Sequence, residues 1–293
     1  MSREDDNLKS LEKERSLWSD AWKRLRKNTF AMIGLVMLAI TILVALFAEQ
    51  IAPYDPNLQD YSSAMLSPSR DHWLGTDNFG RDILSRIIFG AQISLRLGLF
   101  GTIIGASVGS ILGAMAGYFG GWIDTLIMRL LDVQMAFPGI LLAIIVIAIL
   151  GPSEINVVFA IGIFSLPTFA RVIRGSFLVL REQDFVLAAR SVGAGSSRIL
   201  LRHLLPNSLS PILVLSTIRL GTAILTAASL GFLGLGVKPP APEWGTMLSE
   251  GRNYMQLAPH IAIFPGLAIL ITVVALNLLG DGLRDAIDPR TRK

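Results

Sequence analysis

The 293-residue sequence has no cysteine, only three histidines and little charge: 16% Asp, Glu, Lys and Arg against 52% apolar residues. Without cysteine there is no disulfide framework and no thiolate metal site, although both sides of a membrane stay open as addresses. With so few charges the chain cannot coat a water-soluble domain of this length. A phosphate-binding loop of the form G-x-x-x-x-G-K-[ST] is also missing, since no lysine follows a glycine anywhere, so ATP is not bound by that route. The net charge of +4 would suit nucleic acid, but the basic residues sit in short runs between long apolar stretches. The membrane reading therefore takes precedence and no nucleic-acid partner is expected.

A helix needs about 20 mostly apolar residues to cross a hydrocarbon layer roughly 30 Å thick. Six stretches meet the demand: 29–48, 93–118 with Arg96 near its start, 137–150 extended back through the more polar 127–136, 155–169, 208–235 and 261–279. Pro138 and Pro167 are expected to kink or end their helices, because each removes a backbone donor. Basic residues fix the orientation. Eight precede the first span, six lie in 170–207 and four follow Leu283, whereas 236–260 holds only Lys238 and Arg252. Both termini and 170–207 are thus expected in the cytoplasm. The lead of 28 residues before a 20-residue apolar run predicts a retained anchor, not a cleaved signal peptide. Its LWSDAWKRL stretch suits either a helix on the inner membrane surface or a solvated tail.

Gly101, Gly105, Gly109, Gly113 and Gly117 recur every four residues in the second span. They form one helix face against which another backbone can pack closely, as lipid-embedded helices require. Gly105-Ala-Ser107-Val-Gly109 also fits the G-x-S-x-G pattern of a serine nucleophile, which raises an intramembrane protease as a rival. That chemistry needs a base within reach, yet His72, His203 and His260 all fall in loops or at span edges.

Residues 184–207 (DFVLAARSVGAGSSRILLRHLLPN) are too polar to span and too long for a turn. Phe185, Val186 and Ala189 make one helical face, and Ile199, Leu200, Leu204 and Leu205 another, with Gly193 and Gly195 between them. Two short helices joined by a glycine bend are predicted. The plain alternative is an amphipathic loop on the lipid headgroups.

This segment resembles the cytoplasmic signature of binding-protein-dependent ABC importer permeases: E-A-A, three residues, G, nine residues, I-x-L-P. Here it reads Leu187-Ala188-Ala189, Gly193, then His203-Leu204-Leu205-Pro206, with both spacings kept and Leu187 and His203 replacing the Glu and the Ile. HWLGTDNFGRDILSRIIFGA (72–91), FLGLGVKPPAPEWGTML (232–248) and PGLAILITVVALNLLGDGLRDAIDPR (265–290) narrow the resemblance to the smaller permease subunit of dipeptide and oligopeptide importers, a subgroup that includes glutathione and nickel systems.

The resemblance implies an all-α membrane protein with six transmembrane helices, the type I importer permease fold and a cytoplasmic coupling helix. It divides the chain into an arm (1–28), a first helix with extracytoplasmic loop (29–91), the permease domain (92–281, coupling loop about 184–207) and a tail (282–293). Phe185, Leu187, Ala188, Ala189, Gly193, Gly195, His203 and Pro206 become the ATPase-coupling residues, with Ala188, Ala189 and Gly193 as the docking surface. It further implies a second homologous permease, two ATPase subunits that hold ATP and Mg²⁺, an extracytoplasmic binding protein, and the inner membrane of a prokaryote. This chain binds no cofactor or metal and catalyses no covalent step in that scheme. The cargo is expected to be a di- or oligopeptide, with glutathione or nickel as alternatives. An ion-coupled carrier is the rival from another class, but no Asp or Glu lies near the centre of a span.

Among charged residues, Arg219 sits near the middle of the fifth span. It either faces the translocation path, where a peptide carboxylate would meet it, or pairs within the bundle. Arg129 and Asp132 are spaced for a local ion pair. Thr76 to Asp82 fails the calcium-loop spacing, so an ordered turn built on Gly75 and Gly80 is expected.

Overall fold

The structure, a computed structural model, describes residues 22–287. Most of the N-terminal arm, including the start of its amphipathic stretch, and the last six residues of the tail lie outside the described residues. Among the described residues every regular element is helical.

Helix α1 (Thr29–Leu46) opens on Asn28, whose side chain accepts from Ala31 N–H and so satisfies one orphan donor of the first turn. After a loop come α2 (Ile83–Phe119), α3 (Gly121–Met135), α4 (Gly139–Leu150) and α5 (Glu154–Leu180). Next are the short α6 (Asp184–Ser191), the long α7 (Ser196–Phe232), α8 (Trp244–Gly251) and α9 (His260–Ile287). Five of these helices, α1, α2, α5, α7 and α9, are long and apolar enough to cross a membrane. A sixth path is broken: α3 and α4 meet at 91°. Pro138 lies at the break and cannot donate to the preceding turn. Pro167, by contrast, lies inside α5, which continues to Leu180 and outruns the span expected at 155–169.

Helices α2 and α5 make the most extensive contact of the bundle. A Cβ placed at Gly101 would lie 2.5 Å from the Ile161 side chain, one at Gly105 2.5 Å from Ser165 Cβ, and one at Gly109 2.7 Å from the Leu166 carbonyl oxygen. At Gly113 it would strike the Ala170 backbone, and at Gly117 it would lie 2.8 Å from the Arg174 carbonyl oxygen. The four-residue glycine repeat thus runs along the backbone of α5, where no side chain fits. Ser107 lies on the exposed side of α2, away from that contact.

The bundle has two unlike ends. One, the cap end, carries the loop before α2, helix α8 and the start of α9. The other, the connection end, carries α6 and the glycine bend. Near the latter, Arg174 grips Asp124 of α3 with both arms (2.5 and 2.6 Å), and Arg171 bonds Asp132 at 2.6 Å. Asp132 therefore pairs across to α5 and not with Arg129, as the spacing had suggested. The cross-helix partner offers a better approach than a neighbour on the same helix surface.

Candidate functional site

At the connection end, α6 is seated by one residue. Val186 is fully buried with Ile173 and Phe177 of α5 and Ile199 and Leu204 of α7. Asp184 in its first turn and Arg190 in its last complement the helix dipole. The helix ends in a complete Schellman motif: Gly193 N–H donates to Arg190 O at 2.9 Å and Ala194 N–H to Ala189 O at 3.0 Å. Gly193 sits at φ +82°, the left-handed region that a residue with a Cβ rarely adopts.

Beyond Gly195, the second helix of the connection does not stop before the fifth span. It runs straight into it through a π-helical turn, Leu200–Leu204, in which Leu205 N–H reaches Leu200 O five residues back. The wider turn precedes Pro206, whose ring would clash with the carbonyl four residues earlier in a regular helix. Span five therefore starts at Ser196, not near 208. Asn207 donates to His203 O at 2.6 Å, and the His203 ring lies 6.3 Å from that of Phe185.

The outward surface of this unit is apolar. Phe185, Leu187 and Ala188 are exposed, as are Gly193, Gly195 and Pro206, whereas Ala189 and His203 are half-buried. Val192 at 85% and Leu201 at 68% exposure extend the same surface and carried no signal in the sequence beyond standing outside both predicted faces. Arg190, Arg198 and Arg202 are exposed around it. The unit thus presents an apolar surface with a basic rim on a short helix.

At the cap end the loop folds onto buried charge. Gly75 (φ +80°) and Gly80 (φ +75°) shape the turn, as expected, and Thr76 bridges to Asp82. Arg81 pairs with Asp77 at 2.6 Å and with Glu250 of α8 at 2.8 Å. Arg86 lies 3.5 Å from the same two carboxylates and donates to Pro56 O at 3.1 Å. Asp82 caps α2 through Ser85 N–H at 2.7 Å and bonds His72 at 2.9 Å. Charges this deep are tolerated because each is paired. They also explain why α2 begins at Ile83, ten residues before its apolar run: paired arginines extend the helix where hydropathy alone reads loop. Among the described residues no three carboxylates or histidines converge as metal ligands.

Helix α8 lies within 236–260, between the last two predicted spans. Its start is fixed by Glu243, which accepts from Gly245 N–H, Thr246 N–H (both 2.8 Å) and Thr246 Oγ1 (3.0 Å). Burial pushes the Glu243 carboxyl above the usual range, against hydrogen bonds that favour its ionised form. Glu243→Ala is expected to destabilise the protein by about 1–3 kcal/mol, because buried amide donors lose their acceptor. Thermal unfolding of the detergent-solubilised protein reads this directly.

Residues 109–293 match the family described as binding-protein-dependent transport system inner membrane component. This chain belongs to that family. The permease also matches, over residues 16–68, the N-terminal transmembrane domain of oligopeptide transport permease C. It is 55% identical over 279 residues to the glutathione transport system permease protein GsiD of Escherichia coli O6:K15:H31 (strain 536 / UPEC). The same identity holds to GsiD of Shigella boydii serotype 4 (strain Sb227). In both cases 95% of the permease and 92% of the relative are covered. Its fold is similar to that of the MetNI methionine ABC transporter in inward-facing form, with TM-score 0.55 and 18% identity over 69% of the permease and 96% of that chain. The permease is thus a multi-pass inner-membrane subunit of an ABC importer, a class that works with ATPase subunits and a substrate-binding protein.

Proposed function

We propose that the permease imports glutathione, a tripeptide, and that its connection end faces the cytoplasm and docks an ATPase subunit through Leu187, Ala188, Val192 and Gly193. The observation that carries the docking is the exposed apolar surface on α6, fixed to the bundle by Val186 and closed by the Gly193 bend. The cargo rests on the likeness to GsiD over nearly the whole chain. In this scheme both termini are cytoplasmic, and residues 184–207 form the coupling loop of a permease domain that runs from about 92 to 281. A second, homologous permease completes the pathway. ATP and Mg²⁺ are held by two ATPase subunits, whose closure can shift the permease only by binding its two conformations unequally. The cap end faces the binding protein.

A second reading, import of a di- or oligopeptide, is favoured by the match of residues 16–68 to an oligopeptide permease domain. The whole complex in proteoliposomes, with its binding protein, separates the two. Labelled glutathione is expected to accumulate when ATP is present inside the vesicles. Accumulation of a dipeptide or of Ni²⁺ in place of glutathione would reassign the cargo. Uptake without ATP would remove the importer mechanism itself.

A further inference from the structure

Helix α7 is enclosed on most sides. Its Ile224 meets Gly98 of α2, Ala223, Ala227 and Leu230 enter the core shared with α4 and α5, and Gly221 and Ile218 face α9. One face is left over. It carries Arg219, Thr222, Thr226 and Ser229, at spacings of three, four and three residues that line up along a helix. All four are exposed or half-buried.

Lipid is the wrong neighbour for such a seam. Arg219 stands about 16 Å from Ser208 and 20 Å from Phe232 at 1.5 Å per residue, too deep for its side chain to reach either interface. It has no hydrogen-bond or ion-pair partner among the described residues. A lone guanidinium in hydrocarbon is costly, so its face must border water or an anion. The hydroxyls beside it are acceptors. Thr226 Oγ1 donates to Thr222 O and Ser229 Oγ to Leu225 O, both at 2.8 Å, which uses their protons and leaves each oxygen only accepting capacity toward a cargo.

We propose that this seam is the cargo-recognition wall of the translocation path: Arg219 takes a carboxylate of the peptide, and Thr226 and Ser229 accept from its amide and ammonium N–H groups. The inference rests on the peptide-class cargo proposed above and adds where, and by what chemistry, the cargo is read. The dimensions agree. Arg219 to Thr226 spans about 10 Å along the axis, as an extended tripeptide does at 3.3–3.6 Å per residue, and Ser229 follows about 5 Å further on, beyond the far end of the cargo's backbone. Arginine suits the task because its fork matches a carboxylate with two parallel bonds.

The test compares glutathione with its glycine-amide analogue in proteoliposomes holding the whole complex, counting uptake per loaded binding protein. The wild-type complex is expected to carry glutathione at least tenfold faster than the amide. Arg219→Gln should lower glutathione uptake at least tenfold, abolish the preference for the carboxylate, and leave ATPase stimulation by the binding protein in place. Arg219→Lys should keep most of the rate. Wild-type uptake and preference in Arg219→Gln would overturn the proposal. So would loss of the second permease from the purified complex in both variants, which would assign the guanidinium to a carboxylate of that partner. Failure of the cargo reading shows separately, as a wild-type complex that imports neither glutathione nor a dipeptide under ATP; if only the dipeptide is carried, the same comparison is made with it and its amide.

Discussion

Gly113→Leu is expected to leave no folded permease in the membrane. At this position even a methyl group would meet the Ala170 carbonyl oxygen and lie 2.8 Å from its Cα and 2.9 Å from its carbonyl carbon. All three are backbone atoms of α5, which cannot swing aside as a long side chain can. Gly109 and Gly117 abut the same backbone one turn to either side, so relief at Gly113 would part the helices along the whole seam. Overpacking in well-filled cores costs about 1–3 kcal/mol, the range expected for Gly113→Ala, and a leucine should exceed it. Membrane fractions probed by immunoblot and limited proteolysis give the readout. Ser107→Leu, on the exposed side of the same helix, is the control and should accumulate normally. A stable, protease-resistant Gly113→Leu protein would mean that α2 and α5 are not packed as described.

The second large effect is expected at Gly193. Proline fixes φ near −65°, whereas Gly193 sits at +82°, and proline also lacks the N–H that now bonds Arg190 O. Gly193→Pro must therefore open the bend and re-aim Leu187, Ala188 and Val192, while Val186 and the spans stay seated. Under the proposed docking role, cargo uptake should fall at least tenfold with ATP hydrolysis continuing, measured together in proteoliposomes. Gly193→Asn should be much milder, because asparagine enters the left-handed region more readily than other residues with a side chain. Unchanged cargo carried per ATP in Gly193→Pro would count against the coupling role.

Much of this architecture could be read from residue order alone, because spans and seams follow from local spacing. The glycine repeat of α2, the bend at Gly193 and the turn at Gly75 and Gly80 each depend on residues close in the chain, and each stands in the structure. What escaped depends on partners distant in sequence. Arg81 and Arg86 look like loop charges until Glu250, more than 160 residues away, is placed beside them, and hydropathy then starts α2 ten residues late. Asp132 took Arg171 over the nearer Arg129 for the same reason. Glu243 and α8 lie in a stretch whose mixed composition reads as a connection until Ser94 and Trp244, 150 residues apart, come together. In segment 127–150 the break at Pro138 was expected and stands, but the local sequence does not report its size, a turn of 91° between the two halves.

The π-helical turn makes α7 one piece from the glycine bend to Phe232, 37 residues and about 55 Å long. It is gripped near its middle, where Ile218 meets Gly280 and Ile224 meets Gly98. From Ile218 the arms measure roughly 33 Å toward Ser196 and 21 Å toward Phe232 at 1.5 Å per residue. Tilted as one piece about that grip, it would move its short arm about 2 Å for a 3 Å shove on the long one, by the ratio of those lengths. The short arm ends where Gly231 abuts Glu243, so such a tilt would press on the start of α8.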